Sequence, residues 1–452
     1  MKFLIECTFV YEHPNYNSGI QRVVRNILAN LSGKPTQYEV IPVILRDSRV
    51  FEVKKLEPAG VEMFRANLLY AKLVQLRMRY WLLFDRLSAH WPFRASSLLE
   101  TALLFAMKLA GLAVFYIPIT FLSRICRKKE IGERIVEFKV NSGDVLVLLD
   151  SSWHADIFSL VDELKGRGVV IVSVIYDLIP LTHPRYCHRG LVPIFQHWIQ
   201  WAARTSDGFI AISQTIRDQM KEYVFQTVRE AKSGHQWFDY FHLGTELDLM
   251  EKSPAIRQEL QNVFDGPTGR SLVYLMVGTI EPRKNYGFLL NAFELLWQKD
   301  EPFVLCLAGK VGWRCEDIVT RVKNHREYNK RLFMFNDLSD AELEYCYRSS
   351  RSLVYPSYVE GFGLPLVEAM QRCLPVMASD IPVFREIGGD FVAYFDPDQP
   401  QTLVALIMDF EKKGIFPAAR KLEEWSWLNW EDSAKLFFNA IKSHVSGASR
   451  QG

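Results

Sequence analysis

The chain has 452 residues, enough for two ordinary domains with a sizeable core each. Apolar residues make up 49% and charged residues 23%, with a net charge of +2, a globular balance that excludes a long disordered tract and gives no general case for nucleic acid. The seven cysteines are scattered, odd in number and without a C-x-x-C pair, which argues for a reducing compartment and against a disulfide framework or a zinc site.

The N-terminal MKFLIECTFVY has a short apolar run without a long hydrophobic region or a small-residue cleavage site, so residues 2–10 are expected to form a first buried strand and not a signal peptide. A small-residue loop, Asn17-Ser18-Gly19, then leads into the helical pattern VVRNILANL. Strand, small-residue loop and helix at the start of an α/β chain bring the backbone close to a phosphate, which puts Gly19 under a candidate ligand and Gln21 or Arg22 beside it. Residues 38–45 form a second strand.

Residues 61–130 depart from the α/β alternation. They hold eleven Lys or Arg against four Asp or Glu, interleaved with large apolar residues such as Phe64, Tyr80, Trp81, Phe84 and Trp91. Within them, residues 109–122 form an uncharged run of fourteen, shorter than the roughly 20 residues a helix needs to span a bilayer. Basic residues beside aromatic and aliphatic ones favour a segment lying in or dipping into an anionic membrane surface. A helical insertion packed on its own domain is the alternative.

Alternation resumes after Ile131. Residues 144–150 and 169–177 are near-continuous apolar runs of the buried parallel type. Asp150 ends the first of these and His154 falls just past it, while Tyr176 and Asp177 end the second and His183 follows it, where open α/β sheets place ligands. Residues 207–213 and 238–246 complete this half, and 247–267 read as a linker. The second half repeats the design, with strands at 271–279, 303–309, 331–337, 352–355, 375–379 and 391–395. Gly278 ends the first of these, ahead of Ile280-Glu281-Pro282-Arg283-Lys284-Asn285, and Gly309-Lys310-Val311-Gly312-Trp313 follows the second. Residues 425–444 are amphipathic.

Residues 355–372, YPSYVEGFGLPLVEAMQR, hold Glu360 and Glu368 with seven residues between them, across a glycine-broken turn that runs into a helix. Gly361 and Gly363 allow close approach of the backbone, and Pro365 suits a first helical turn. Free amides and the positive end of the helix dipole gather at Gly363 and Leu364, a ready anion site. A sugar phosphate would find an amide cradle there and a carboxylate on either side.

This stretch resembles the E-x7-E motif of GT-B retaining glycosyltransferases, most of all glycosyltransferase family 4. The resemblance covers nearly the whole second half and the first half patchily, leaving out 61–130. It implies an α/β GT-B fold of two Rossmann-like domains facing a cleft. Residues 1–250 would form the acceptor-side domain with 61–130 inserted, 251–424 the nucleotide-sugar domain, and 425–452 a helix crossing back to the first. It further implies that Arg283 and Lys284 neutralise a donor diphosphate, that Glu360 steadies the sugar, and that Glu368 takes the ribose hydroxyls. Gly19, Gly278, Gly361, Phe362, Gly363, Leu364 and Trp313 complete the expected donor-binding set. Asp177 is the candidate for ordering acceptor or donor sugar. Relatives carry histidine where Tyr176 stands, so His183, His154 and Asp150 are further acceptor-side candidates. The loop at the phosphate approach has Ser18 where relatives often have glycine. The G-K-V-G-W stretch resembles bacterial mannosyltransferases with a guanosine donor, which favours GDP-mannose over UDP- and dTDP-sugars. No metal is expected.

The activity so implied is transfer of a sugar from a nucleotide-sugar donor to a lipid-linked glycan acceptor in bacterial surface-polysaccharide synthesis. It would take place on the cytoplasmic face, with the protein held peripherally at the anionic membrane through 61–130, in company with polysaccharide-assembly partners. A GT-B epimerase or phosphorylase, or a catalytically silent membrane-docking subunit, are the alternatives.

Overall fold

The computed structural model describes residues 1–14, 19–32, 38–56, 134–154, 157–227, 236–245, 255–266 and 272–448, with Leu73, Leu76, Tyr80, Leu109, 111–116, Pro118 and Ile119 besides. The apolar runs form two sheets. The first has eight strands in the order β4-β3-β2-β1-β5-β6-β7-β8: β1 Lys2–Glu6, β2 Glu39–Arg46, β3 Arg49–Val53, β4 Ile135–Glu137, β5 Val145–Leu148, β6 Val170–Ile175, β7 Gly208–Ala211 and β8 Trp237–Tyr240. All neighbours pair in parallel except β2 with β3 and β3 with β4.

The second sheet is wholly parallel, in the order β11-β10-β9-β12-β13-β14: β9 Val273–Val277, β10 Val304–Ala308, β11 Leu332–Phe335, β12 Ser352–Tyr355, β13 Val376–Ser379 and β14 Ala393–Phe395. β5, β9 and β10 are buried along their whole length, as sheets covered by helices on both faces require. Two Rossmann-like domains face each other, the GT-B arrangement.

The last helix, Trp430–Ala448, buries Trp430, Ala434, Phe437, Phe438, Ile441 and Val445, a stripe at three- and four-residue spacing. That stripe lies on the first domain: Phe438 meets Phe3 edge-on at 4.8 Å, and the helix packs on Gly19–Leu31.

Two expectations need correction. The first strand stops at Glu6, and the apolar run after it winds into a short helix, Thr8–Glu12. Glu6 accepts from the Thr8 amide at 2.7 Å, and Asp150 from the Val10 amide at 2.7 Å, so two carboxylates take the amides a strand would have paired. The stretch read as linker contains a helix, Gln258–Asp265, whose Leu260, Val263 and Phe264 are buried, and Arg257 before it pairs with Glu342 at 2.6 Å.

Nearly all of 61–130 lies outside the described residues. Its flanks are fixed at one sheet edge, where Val53 of β3 partners Ile135 of β4. Among the described residues no helix is long and apolar enough to cross a membrane.

Candidate active site

The second sheet changes direction of growth at β9, with β10 on one side and β12 on the other. Loops leaving those strand ends diverge and open a crevice, the usual ligand position in such sheets. After β9 come Gly278 and the turn Pro282–Lys284; after β12 comes the loop to Gly363, which starts the helix Leu364–Gln371. Gly363 has φ +105°, and a Cβ there would lie 2.8 Å from the Phe384 ring, so both backbone and space require glycine. No side chain caps this helix start.

Lys284, Arg283 and Glu360 meet in the crevice. Lys284 Nζ is 2.5 Å from Glu360 Oε1 and 2.6 Å from the Tyr355 hydroxyl, and Arg283 pairs with the other Glu360 oxygen. Arg283 Nε also bonds Glu281 Oε1 at 2.6 Å. Burial alone would raise the Glu360 pKa, but the charges of Arg283 and Lys284 outweigh it and hold it down at about 2. Burial pulls Lys284 below its ordinary value against the attraction of Glu360, and pushes Glu281 up against Arg283 and Lys284. Gly278 leaves room for the Lys284 stem, since a Cβ there would lie 3.3 Å from Lys284 Cε.

The first domain closes on this cluster. A Cβ at Gly361 would lie 2.1 Å from the Tyr176 carbonyl oxygen and 3.2 Å from Asp177 Cβ, and Ser213 Oγ donates to the Gly361 carbonyl at 2.9 Å. Asp177 therefore faces Arg283 and Glu360 across the crevice. Burial raises its pKa against the pull of Arg283, and the Ile179 amide bonds it at 2.9 Å. Glu368, on the Leu364–Gln371 helix, is 2% exposed; Arg22 of the first domain bonds one oxygen at 2.7 Å and the Tyr347 hydroxyl the other at 2.8 Å. Gly19, three residues before Arg22, faces Leu364: its Cβ position is 3.7 Å from Leu364 Cδ1.

Arg283, Lys284, Glu360, Glu368, Asp177, Gly19, Gly278, Gly361, Gly363 and Leu364 thus share one place. Other candidates have different employment. Tyr176 is buried with its hydroxyl on the Leu149 carbonyl at 2.7 Å, so it packs the core. Asp150 is buried against the Val10 and Ser151 amides and Glu6, where it shapes the chain after β1. Phe362 turns away from the crevice into packing near His242 and Trp427. His183 stacks on Tyr186, which stacks on Tyr358, placing it on the outer lip. Trp313 gives its indole N–H to the Tyr186 carbonyl at 3.0 Å and so bridges the domains at that lip. His154 ends the turn after β5, and its side chain lies outside the described residues.

Sequence reasoning gave no site role to Glu281, which sits inside the quoted Ile-Glu-Pro-Arg-Lys-Asn run, to Tyr355, which opens the glutamate stretch, or to Tyr347. It also missed Glu386, whose carboxylate takes the Gln214 and Thr215 amides at 2.6 and 2.8 Å, the Thr215 hydroxyl at 2.5 Å and His242 Nε2 at 2.8 Å across the domain boundary.

Residues 259–425 match the family described as Glycosyl transferases group 1. The chain is 30% identical over 304 residues to O-antigen chain mannosyltransferase B of Escherichia coli, covering 65% of this chain and 74% of that protein. The chain belongs to the glycosyl transferases group 1 family. It is also 31% identical over 301 residues to the serotype-specific mannosyltransferase WbdA of Escherichia coli, 66% of this chain and 37% of that protein, so it spans little more than a third of that relative's length. Among solved structures it is similar to Anabaena HepE in complex with UDP and glucose, with a TM-score of 0.54 at 14% identity over 98% of this chain and 100% of that one. Sucrose-phosphate synthase from Thermosynechococcus elongatus is similar too, with a TM-score of 0.52 at 14% identity over 100% of this chain and 98% of that one. At such identity the likeness is one of fold, and it is the GT-B fold this group 1 chain adopts.

Proposed function

We propose that this group 1 protein is a retaining glycosyltransferase moving mannose from GDP-mannose to a lipid-linked or membrane-proximal glycan in bacterial surface-polysaccharide synthesis. The observation that carries the reading is the meeting of Arg283, Lys284 and Glu360 beside an uncapped helix start at the switch point of the second sheet. The two mannosyltransferase relatives support the sugar, and the O-antigen chain mannosyltransferase among them supports the pathway class.

Glu360 pairs with both cations. An arriving diphosphate exchanges partners with it: phosphate oxygens take Arg283, Lys284 and the Gly363–Leu364 amides, and Glu360 is released to the sugar hydroxyls. Glu368 exchanges its Arg22 contact for the ribose hydroxyls. The bond from the anomeric carbon to the diphosphate then breaks, its electron pair leaving on the phosphate oxygen that the cations stabilise. The acceptor hydroxyl attacks the same face of the sugar and gives its proton to that phosphate oxygen. Asp177 orients the acceptor hydroxyl or the donor sugar. Residues 61–130, basic and apolar in composition, bind anionic lipid at the cytoplasmic face.

Hydrolysis and thermal-shift measurements with GDP-mannose, UDP-glucose, UDP-N-acetylglucosamine and dTDP-rhamnose test the reading, since a bound donor stabilises the fold. GDP-mannose is expected to give the largest shift, with an α-anomeric product by proton NMR. No response to any donor, or an inverted product, overturns it.

A further inference from the structure

Glu281 lies in the same crevice and has no part in the scheme above. It precedes the turn Pro282–Lys284 in extended backbone, is 3% exposed, and spends one carboxylate oxygen on Arg283 Nε at 2.6 Å. Its other oxygen, Oε2, is buried without a hydrogen-bond partner among the described residues. Buried carboxylate oxygens are rarely left so, because the lost hydration has nothing to offset it. The nearby donors are committed elsewhere: Lys284 Nζ to Glu360 and Tyr355, and the Tyr286 hydroxyl to the Gly278 carbonyl at 2.5 Å. Gly312 closes the space beside it, since a Cβ there would lie 3.6 Å from Glu281 Cβ.

We infer that Glu281 is a positioning residue of the donor site, fixing Arg283 with Oε1 and accepting a hydroxyl of the transferred sugar with Oε2. The inference rests on the nucleotide-sugar reading and deepens it. A second carboxylate repels a diphosphate, so the free oxygen suits a neutral hydroxyl donor and not a phosphate. Arg283 is held at Nε by Glu281, a contact that stays in place when Glu360 gives way to the diphosphate, which leaves its terminal N–H bonds aimed in a set direction. A guanidinium so fixed meets phosphate oxygens without first losing rotational freedom.

The test compares binding of GDP and GDP-mannose, with UDP and UDP-glucose alongside, to wild type and to Glu281→Gln and Glu281→Asp variants of matched melting temperature. Glutamine still accepts from Arg283 but replaces the charged acceptor for the sugar. Glu281→Gln is expected to bind the nucleoside diphosphate within about threefold of wild type, and the nucleotide sugar on the order of tenfold more weakly, the range for a hydrogen bond to a charged group. Glu281→Asp is expected to recover part of the loss. Monodeoxy donors supply an arm that needs no variant to fold: one deoxy position weakens wild type, and the same deletion leaves Glu281→Gln unmoved. Equal loss of nucleotide and nucleotide sugar, or equal sensitivity of both proteins to every deoxy donor, overturns the inference. Wild type that binds nucleotide sugars while Glu281→Gln is unchanged overturns it alone. Wild type that binds none overturns the functional reading and this inference with it.

Discussion

Arg22 of the first domain and Glu368 of the second form an ion pair of 2.7 Å across the crevice, with side chains 15% and 3% exposed. Tyr347 holds the other oxygen of Glu368 from within the second domain. Removing Arg22 leaves the buried Glu368 carboxylate to Tyr347, and losing one member of a buried pair costs more than losing both. Arg22→Ala and Glu368→Gln are therefore expected to be non-additive. In a double-mutant cycle on urea unfolding, the coupling should be on the order of 1–2 kcal/mol. Additive losses would mean that the pair contributes nothing to closure.

Gly361 sits where no side chain fits, because its Cβ would lie 2.1 Å from the Tyr176 carbonyl oxygen. The obstacle belongs to the other domain, so Gly361→Ala is expected to act as a wedge and not as a folding defect. Transfer activity should fall by about 100-fold, the scale of a 1 Å misplacement of reacting groups. The melting temperature of the second domain should stay within a few degrees of wild type. Full activity in this variant would mean that the domains need not close this tightly.

Much of this was legible along the chain. The alternation of apolar runs gives two sheets, the second wholly and the first largely parallel, and the glycines, cations and glutamates at the ends of β9 and β12 mark the crevice. What could not be read depends on placing one domain against the other. Arg22 and Glu368 are 346 positions apart, and nothing in the Leu364–Gln371 pattern names a distant arginine as the partner. The family resemblance puts Phe362 in the expected donor-binding set, yet its ring packs near Trp427, a residue of the segment crossing between domains. The end of β1 was misplaced for a like reason. Its apolar run continues past Glu6, and Glu6 turns it together with Asp150, 140 positions from Val10.

Glu386 closes the domain boundary from the second domain. Its carboxylate gathers two amides, a hydroxyl and His242 at the start of the Gln214–Thr227 helix, where helix-end charge also favours an anion. Burial would raise its pKa, but His242, Thr215 and the Gln214 amide more than offset this and hold it below the ordinary carboxylate value. A depressed carboxylate contributes stability that is present above its unfolded pKa and is lost as pH falls through the folded one. Glu386→Gln is expected to flatten the acid limb of the unfolding curve below about pH 4.5 and to enlarge the radius of gyration in solution scattering. Parallel acid limbs, with no change in size, would rule out a domain clamp.

Asp150 and Glu6 give the opposite dependence. Both are buried at the C-terminal ends of β5 and β1, and the Asp150 amide lies 3.3 Å from a Glu6 oxygen. Burial, with Glu6 beside it, pushes Asp150 up to about 7, while burial also raises Glu6. A carboxyl whose folded pKa is raised holds a proton that the unfolded chain has already released. Stability is then greatest at low pH and falls as pH rises from about 4 towards 7, by at most about 1.4 kcal/mol per pH unit for one proton. Asp150→Asn removes that titration while keeping one acceptor for the Val10 or Ser151 amide. Urea midpoints at pH 5, 6, 7 and 8 are expected to decline more steeply in wild type than in the variant. The slope difference isolates Asp150 from the histidines that titrate in the same window. If the two proteins decline in parallel, the carboxyl is ionised throughout, and its backbone hydrogen bonds, not a proton, hold the turn after β1 in place.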